Sequence, residues 1–311
     1  MAWEPADKNA AILVTLPPTF SMHTMYSIIN DLLDSGPRCR HGLVVLDFKK
    51  LQRIKVGGVA VLCNLIQATE RAGGLVSLKN HESCPASEYL RESGFLAMYG
   101  HEPHDRRVTQ TNFSPLQKVE YSRSHSYITS QLIPWMSWIL GVPDAALASI
   151  QGCLSEIFNN LIDHSTVDIA CCCAEFDEQQ RVLTICITDF GVGIPSNVRK
   201  YEQLLGPSQL RSDEKAIAWA CQEGYTTRTT PRNMGVGLYY LLKQVCGKNQ
   251  GGVKILSGKG GVHGTHNPSS RSKLKLTLDS AGISYPGTLF YISIHVDKFK
   301  PDHVVEEVFS W

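Results

Sequence analysis

A single helix passing directly into a hairpin limits this chain most. Over Leu154–Ser165 the apolar residues Leu154, Ile157, Phe158, Leu161 and Ile162 recur at helical spacing. The break Gly141-Val142-Pro143 precedes this helix, and Asp144 is placed to cap it. Two strand-like runs follow, Val167–Phe176 and Arg181–Thr188, joined by Asp177-Glu178-Gln179-Gln180, which predicts a hairpin. The polar side of the helix is ordered too. Glu156, Asn160 and Asp163 stand at i, i+4 and i+7, with His164 at i+8, so one face carries a base, an amide oxygen, a second carboxylate and an imidazole. Such a face can coordinate Mg²⁺ and orient a water; an amphipathic helix with a solvated polar face has the same pattern.

The hairpin ends in Thr188-Asp189-Phe190-Gly191-Val192-Gly193-Ile194-Pro195, an acid followed by alternating glycines. Glycine there lets the backbone approach a ligand, and a buried carboxylate beside it can accept a hydrogen bond from an exocyclic amine. Residues 196–232 read as polar and irregular around one helical piece, Glu214–Cys221. Within them, Gly224–Thr230 is rich in hydroxyls, and its Thr227 and Arg228 suit phosphate contact in a mobile lid as well as in a plain surface loop. Asn233-Met234-Gly235-Val236-Gly237-Leu238 then opens a helix, which presents backbone N–H groups and the positive dipole end to an anion. Gly258-Lys259-Gly260-Gly261 is not a phosphate-binding loop: no Ser or Thr follows the lysine, and a turn between strands is expected. Strands at Val253–Ser257, Lys273–Leu278 and after Gly287-Thr288 complete the chain.

The first hundred residues alternate strand and helix: Ala11–Leu16, Met22–Leu33, Leu43–Phe48, Gly57–Arg71, Leu75–Leu78 and Ala86–Ser93. The near-continuous apolar run at Leu43–Phe48 is that of a strand buried on both faces, and the alternation implies a small sheet with helices packed on it. Residues 106–123 read as a linker between domains at 1–105 and 124–311. With a formal net charge of +1 and Lys and Arg spread along the chain, no nucleic-acid surface is expected. No apolar run reaches membrane-spanning length. The ten cysteines form no Cys-x-x-Cys pair, and the consecutive Cys171-Cys172-Cys173 read as small core residues of a reducing, cytoplasmic compartment.

Two resemblances emerge. Leu46-Asp47-Phe48-Lys49-Lys50-Leu51, Gly58-Val59-Ala60-Val61-Leu62, Ala72-Gly73-Gly74-Leu75-Val76 and Leu90–Phe95 resemble a STAS domain, the fold of anti-sigma-factor antagonists. Where that family carries its phosphorylated hydroxyl this chain has Gly57, so the resemblance implies docking rather than a phosphorylation switch. From about residue 115 the order Glu-x-x-x-Asn helix, strand-Asp-x-Gly-x-Gly, polar lid, Gly-x-Gly-Leu helix and Gly-Thr strand resembles the GHKL (histidine-kinase-like) ATPases. That resemblance implies an α+β architecture with a C-terminal two-layer Bergerat sandwich, and it implies ATP and Mg²⁺ as ligands. It makes Glu156 the general base, Asn160 the Mg²⁺ ligand and Asp189 the partner of the adenine amine. Gly191 and Gly193 would shape the adenine-side loop, Thr288 would help hold the base, and Gly235, Val236 and Gly237 would cradle phosphates. His164 would lie near the phosphates or lid, with Asp163, Thr227 and Arg228 beside it. The implied protein is a bacterial, cytoplasmic regulatory ATPase that associates with a protein partner, or with its own copy, through the N-terminal domain. Two alternatives stay open: a serine/threonine kinase acting on a separate STAS-type partner, and a nucleotide-sensing scaffold without turnover.

Overall fold

The computed structural model describes residues 7–33, 41–101, 111–164, 169–205, 210, 212–223 and 237–302. The fold is mixed, α+β. Its N-terminal part runs β1 (Asp7–Thr15), β2 (Thr19–Phe20), α1 (Met25–Leu32), β3 (His41–Asp47), β4 (Arg53–Ile54), α2 (Val56–Arg71), β5 (Leu75–Lys79), α3 (Ser87–Glu92) and α4 (Phe95–Met98). β1, β3 and β5 form a parallel sheet in the order β1-β3-β5, and β2 pairs with β4 beside it. β6 (Phe113–Glu120), α5 (Tyr121–Tyr127), α6 (Ile133–Leu140) and α7 (Ala148–His164) follow. Next come β7 (Ile169–Asp177), β8 (Val182–Asp189), α8 (Ile194–Leu205), α9 (Asp213–Ala220) and α10 (Gly237–Leu242). β9 (Gly252–His266) and β10 (Leu274–His295) are the last strands, followed by a 3-10 turn at Val296–Lys298. The second sheet is antiparallel in the order β6-β7-β8-β10-β9.

The layers follow from the pleat. Leu183, Ile185 and Ile187 of β8 share a core with Ile157 and Phe158 of α7 and Leu241 of α10. The alternate residues Cys171, Cys173 and Cys186 belong to a second core, reached from β1 through α2. The antiparallel sheet is therefore covered on both faces, by α7 and α10 on one side and by α2 on the other. α2 itself lies between the two sheets, and all of it except Glu70 and Arg71 is buried. That double burial explains its composition: a one-sided amphipathic helix would carry a polar stripe, whereas Val59, Ala60, Val61, Leu62 and Cys63 run apolar without a break. Gly57, at the start of α2, lies against the second sheet, and a Cβ there would sit 3.4 Å from Tyr291 Cε2. The far face of the parallel sheet leaves Leu13, Leu43 and Leu75 exposed.

Four local expectations change. Residues 106–123 do not form an unbroken linker: Phe113–Glu120 is the edge strand β6, paired with β7, because Phe113, Leu116 and Val119 bury their side chains. Gly258–Gly261 lies inside β9 rather than in a turn, where Lys259 N–H donates to Asp213 Oδ2 at 2.6 Å. Residues 196–205, read as irregular, belong to α8, Ile194–Leu205. Pro195 sits in its first turn, where a missing N–H costs nothing. Asp144 does not cap α7: it starts a 3-10 turn, and the carboxylate that accepts the Ser149 N–H, at 2.7 Å, belongs to Asp302. Asp302 is held in turn by Lys248 Nζ at 2.5 Å and donates its own N–H to Ala146 O at 2.9 Å.

All nine described cysteines are buried. Burial pushes the thiols of Cys172, Cys221 and Cys246 up to about 12. The thiolate is the reactive form, so alkylation at these three positions at pH 8 is expected only after unfolding. Iodoacetamide labelling read by mass spectrometry, with and without urea, checks this; rapid native labelling would contradict the packing. Among the described residues, no single helix is long and apolar enough to cross a membrane.

Candidate functional site

The site forms where β8 ends, on the sheet face that packs against α7 and α10, while β9 and β10 run on past it as a paired ribbon. Asp189, Thr288 and Ser257 are cross-strand neighbours in one row, since Thr288 pairs with Asp189 on one side and with Ser257 on the other. Directly opposed residues project to the same face. Asp189 continues the alternation of Leu183, Ile185 and Ile187, so the row points into the helical layer. Asp189 is buried, and its Oδ2 accepts the Thr288 N–H at 3.1 Å. Ser257 Oγ donates to Gly287 O at 2.6 Å, receives the Ile194 N–H at 2.9 Å, and lies 3.3 Å from Thr288 Oγ1. One serine thus ties the loop after Asp189 to the turn entering the last part of β10.

Two glycines make that junction possible. Gly193 has φ +81° and Gly287 has φ +92°, the left-handed region disfavoured for side chains with a Cβ. At Gly287 a Cβ would meet Asp189 O and Gly191 N at 2.4 Å, both backbone atoms that cannot swing aside. Gly287→Ala is expected to destabilise the protein by about 3 kcal/mol, from about 1–2 for the left-handed residue and about 1–3 for overpacking. A urea titration measures it; a loss below about 1 kcal/mol would mean that the turn yields more readily than its contacts imply.

The helical wall is set by α7 and α10. Glu156 is half-buried on α7 and lies against the first residue of α10: a Cβ at Gly237 would sit 3.2 Å from Glu156 Oε2 and 3.4 Å from Glu156 Cβ. Asn160, also half-buried, follows one turn later on the same stripe. A carboxylate and an amide oxygen in one stripe are hard oxygen donors, suited to a cation such as Mg²⁺ and to a water as proton donor. Among the described residues no cluster of three or more His, Cys, Asp or Glu is placed to hold a metal ion, so a cation here would keep waters and ligand oxygens in its shell.

Of the residues singled out from sequence, the structure brings Glu156 and Gly237 together in the helical wall. It joins Asp189, Gly191, Gly193 and Thr288 where β8 ends. Asp163 and His164 belong to α7 by backbone, and their side chains lie outside what is described. Thr227, Arg228, Gly235 and Val236 lie outside the described residues. Sequence reasoning missed Ser257, a lone serine at the end of an apolar strand, and Gly287 as the element that closes on Asp189.

A separate pocket of about 510 Å³ is lined by Lys55, Tyr89, Glu175, Asp177 and Trp138 among others. There Tyr89 OH donates to Glu175 Oε2, and Lys55 Nζ lies 3.4 Å from Glu175 Oε1. It adjoins the Asp177–Val182 end of the hairpin, whereas Asp189 ends the same eight-residue strand. At about 3.4 Å per residue the two places are roughly 24 Å apart.

No protein-family model matches the chain, and no curated protein matches it. Among solved structures, the ATPase and transducer domains of DNA topoisomerase II from Balamuthia mandrillaris are similar at 14% identity and a TM-score of 0.21. The likeness covers 43% of this chain and 34% of that one, so this chain spans about a third of that chain's length. A likeness at this level assigns no family.

Proposed function

We propose that the chain binds Mg²⁺–ATP between α7, α10 and the row of Asp189, Thr288 and Ser257 where β8 ends, and hydrolyses it with Glu156 as general base. The observation that supports this reading is the pairing of two sets of groups. Glu156 stands against the start of α10, and the buried Asp189 stands in one row with Thr288 and Ser257.

In this reading each residue has one task. Asp189 accepts a hydrogen bond from the adenine amine, a charge-assisted contact in a buried setting. Thr288 and Ser257 hold the base from the neighbouring strands. The helical segment from Gly237, six residues of α10 continued by six of π-helix, turns its N–H groups and positive end toward the phosphates. Asn160 supplies an amide oxygen to Mg²⁺, which when bound neutralises charge on the phosphate oxygens. Glu156 takes the proton of the attacking water at a carboxylate oxygen. The N-terminal unit would serve association with a protein partner or a second copy.

The fate of γ-labelled phosphate tests the proposal. Incubated with Mg²⁺ and ATP, the purified chain is expected to release free labelled phosphate. Label retained on protein would instead make it a phosphotransferase, and bound ATP with no release would make it a nucleotide sensor.

A further inference from the structure

One side chain of the N-terminal unit donates a hydrogen bond to the residue that precedes Asp189. Three polar residues of α2 are buried: Asn64, Gln67 and Thr69. Thr69 Oγ1 donates to its own helix, at Leu65 O, and Gln67 Nε2 points to Cys171 Sγ. Gln67 and Asn64 both donate across the interface, but Gln67 reaches β7, whereas Asn64 Nδ2 donates to Thr188 Oγ1 on β8, next to Asp189, at 3.3 Å. Thr188 immediately precedes Asp189, so its side chain faces α2 while Asp189 faces the helical layer.

The hydroxyl of Thr188 is fully used. It donates to Thr288 O at 2.9 Å and is bonded to Tyr285 OH. Its two lone pairs thus take N–H from Asn64 and O–H from Tyr285, while its proton goes to the carbonyl of Thr288. The Tyr285 ring stands edge-on to Phe190, the residue after Asp189, with centroids 5.6 Å apart. Both neighbours of Asp189, and the residue whose N–H Asp189 accepts, therefore belong to one buried group of contacts into which α2 contributes a donor. Buried networks of this kind fix a single geometry, and loss of one member leaves another unsatisfied.

We propose that Asn64 is a positioning residue for the nucleotide site, and that docking of the N-terminal unit on the sheet regulates adenine binding through the Asn64–Thr188 bond. The inference rests on the functional reading above and adds its control. By linkage, bound nucleotide would tighten that docking in return.

The test compares Asn64→Leu with Gln67→Leu in the full chain, by ATP titration and steady-state ATPase kinetics. Both variants remove a buried polar contact of α2, so both lower Tm. Only Asn64→Leu is expected to weaken ATP binding and raise KM, about tenfold, the scale of one neutral hydrogen bond, with kcat within about twofold. Thr188→Val removes that bond together with those to Tyr285 OH and Thr288 O, serves if Asn64→Leu does not fold, and should raise KM at least as much. Asn64→Leu introduced into Thr188→Val should then raise KM little further. Equal ATP affinity in wild type, Asn64→Leu and Thr188→Val, or an equal loss in Gln67→Leu, would overturn the coupling and leave the nucleotide site standing. Absence of ATP binding by the wild type would overturn the functional reading itself.

Discussion

ATP binding falls on the order of a hundredfold or more in Asp189→Asn, with the fold intact. Hydrogen bonds to charged groups are worth about 1.5–3 kcal/mol, and the amide adds a donor where the adenine amine also donates. The variant is clean because its structural duty survives: Asp189 Oδ2 accepts the Thr288 N–H, and an asparagine oxygen can accept it as well. Isothermal titration with Mg²⁺–ATP reads the affinity, and thermal unfolding without nucleotide reads the fold. Wild-type affinity in a folded Asp189→Asn would move the adenine contact elsewhere.

Glu156→Ala has the second large effect and the opposite signature. Its turnover falls by about 10²–10⁴, the usual contribution of a general base, while ATP affinity changes little. The carboxylate lies against Gly237 rather than in the row of Asp189 and Thr288, so its loss leaves the base-binding end untouched. An unchanged kcat would remove Glu156 from the chemistry. Equal losses of kcat and affinity would make it a binding group.

Much of this site was legible because its signals are local. The stripe Glu156–Asn160 follows from helical period, and Asp189-x-Gly191-x-Gly193 from its place after a strand. What escaped was non-local. Ser257 matters because register sets it beside Thr288, and no feature of residues 253–257 encodes that register. The cap of α7 comes from Asp302, far along the chain, while Asp144 offered the right residue type at the expected place. α8 was hidden by its polar composition, although Pro195 stands where the first turn of a helix tolerates proline. α2 was visible as a helix, but its apolar surface does not say that a second sheet covers it. That layer is what turns Asn64 from a buried amide into a contact with Thr188.

Amide hydrogen exchange of the full chain, with and without Mg²⁺–ATP, tests the central claim most directly. The account predicts protection in peptides covering residues 154–161, 187–194 and 285–290, where α7, the glycine loop and the entry to the last part of β10 meet. ATP-dependent protection confined to residues 55, 89 and 175–178, around the separate pocket, would contradict it, as would no protection at saturating nucleotide.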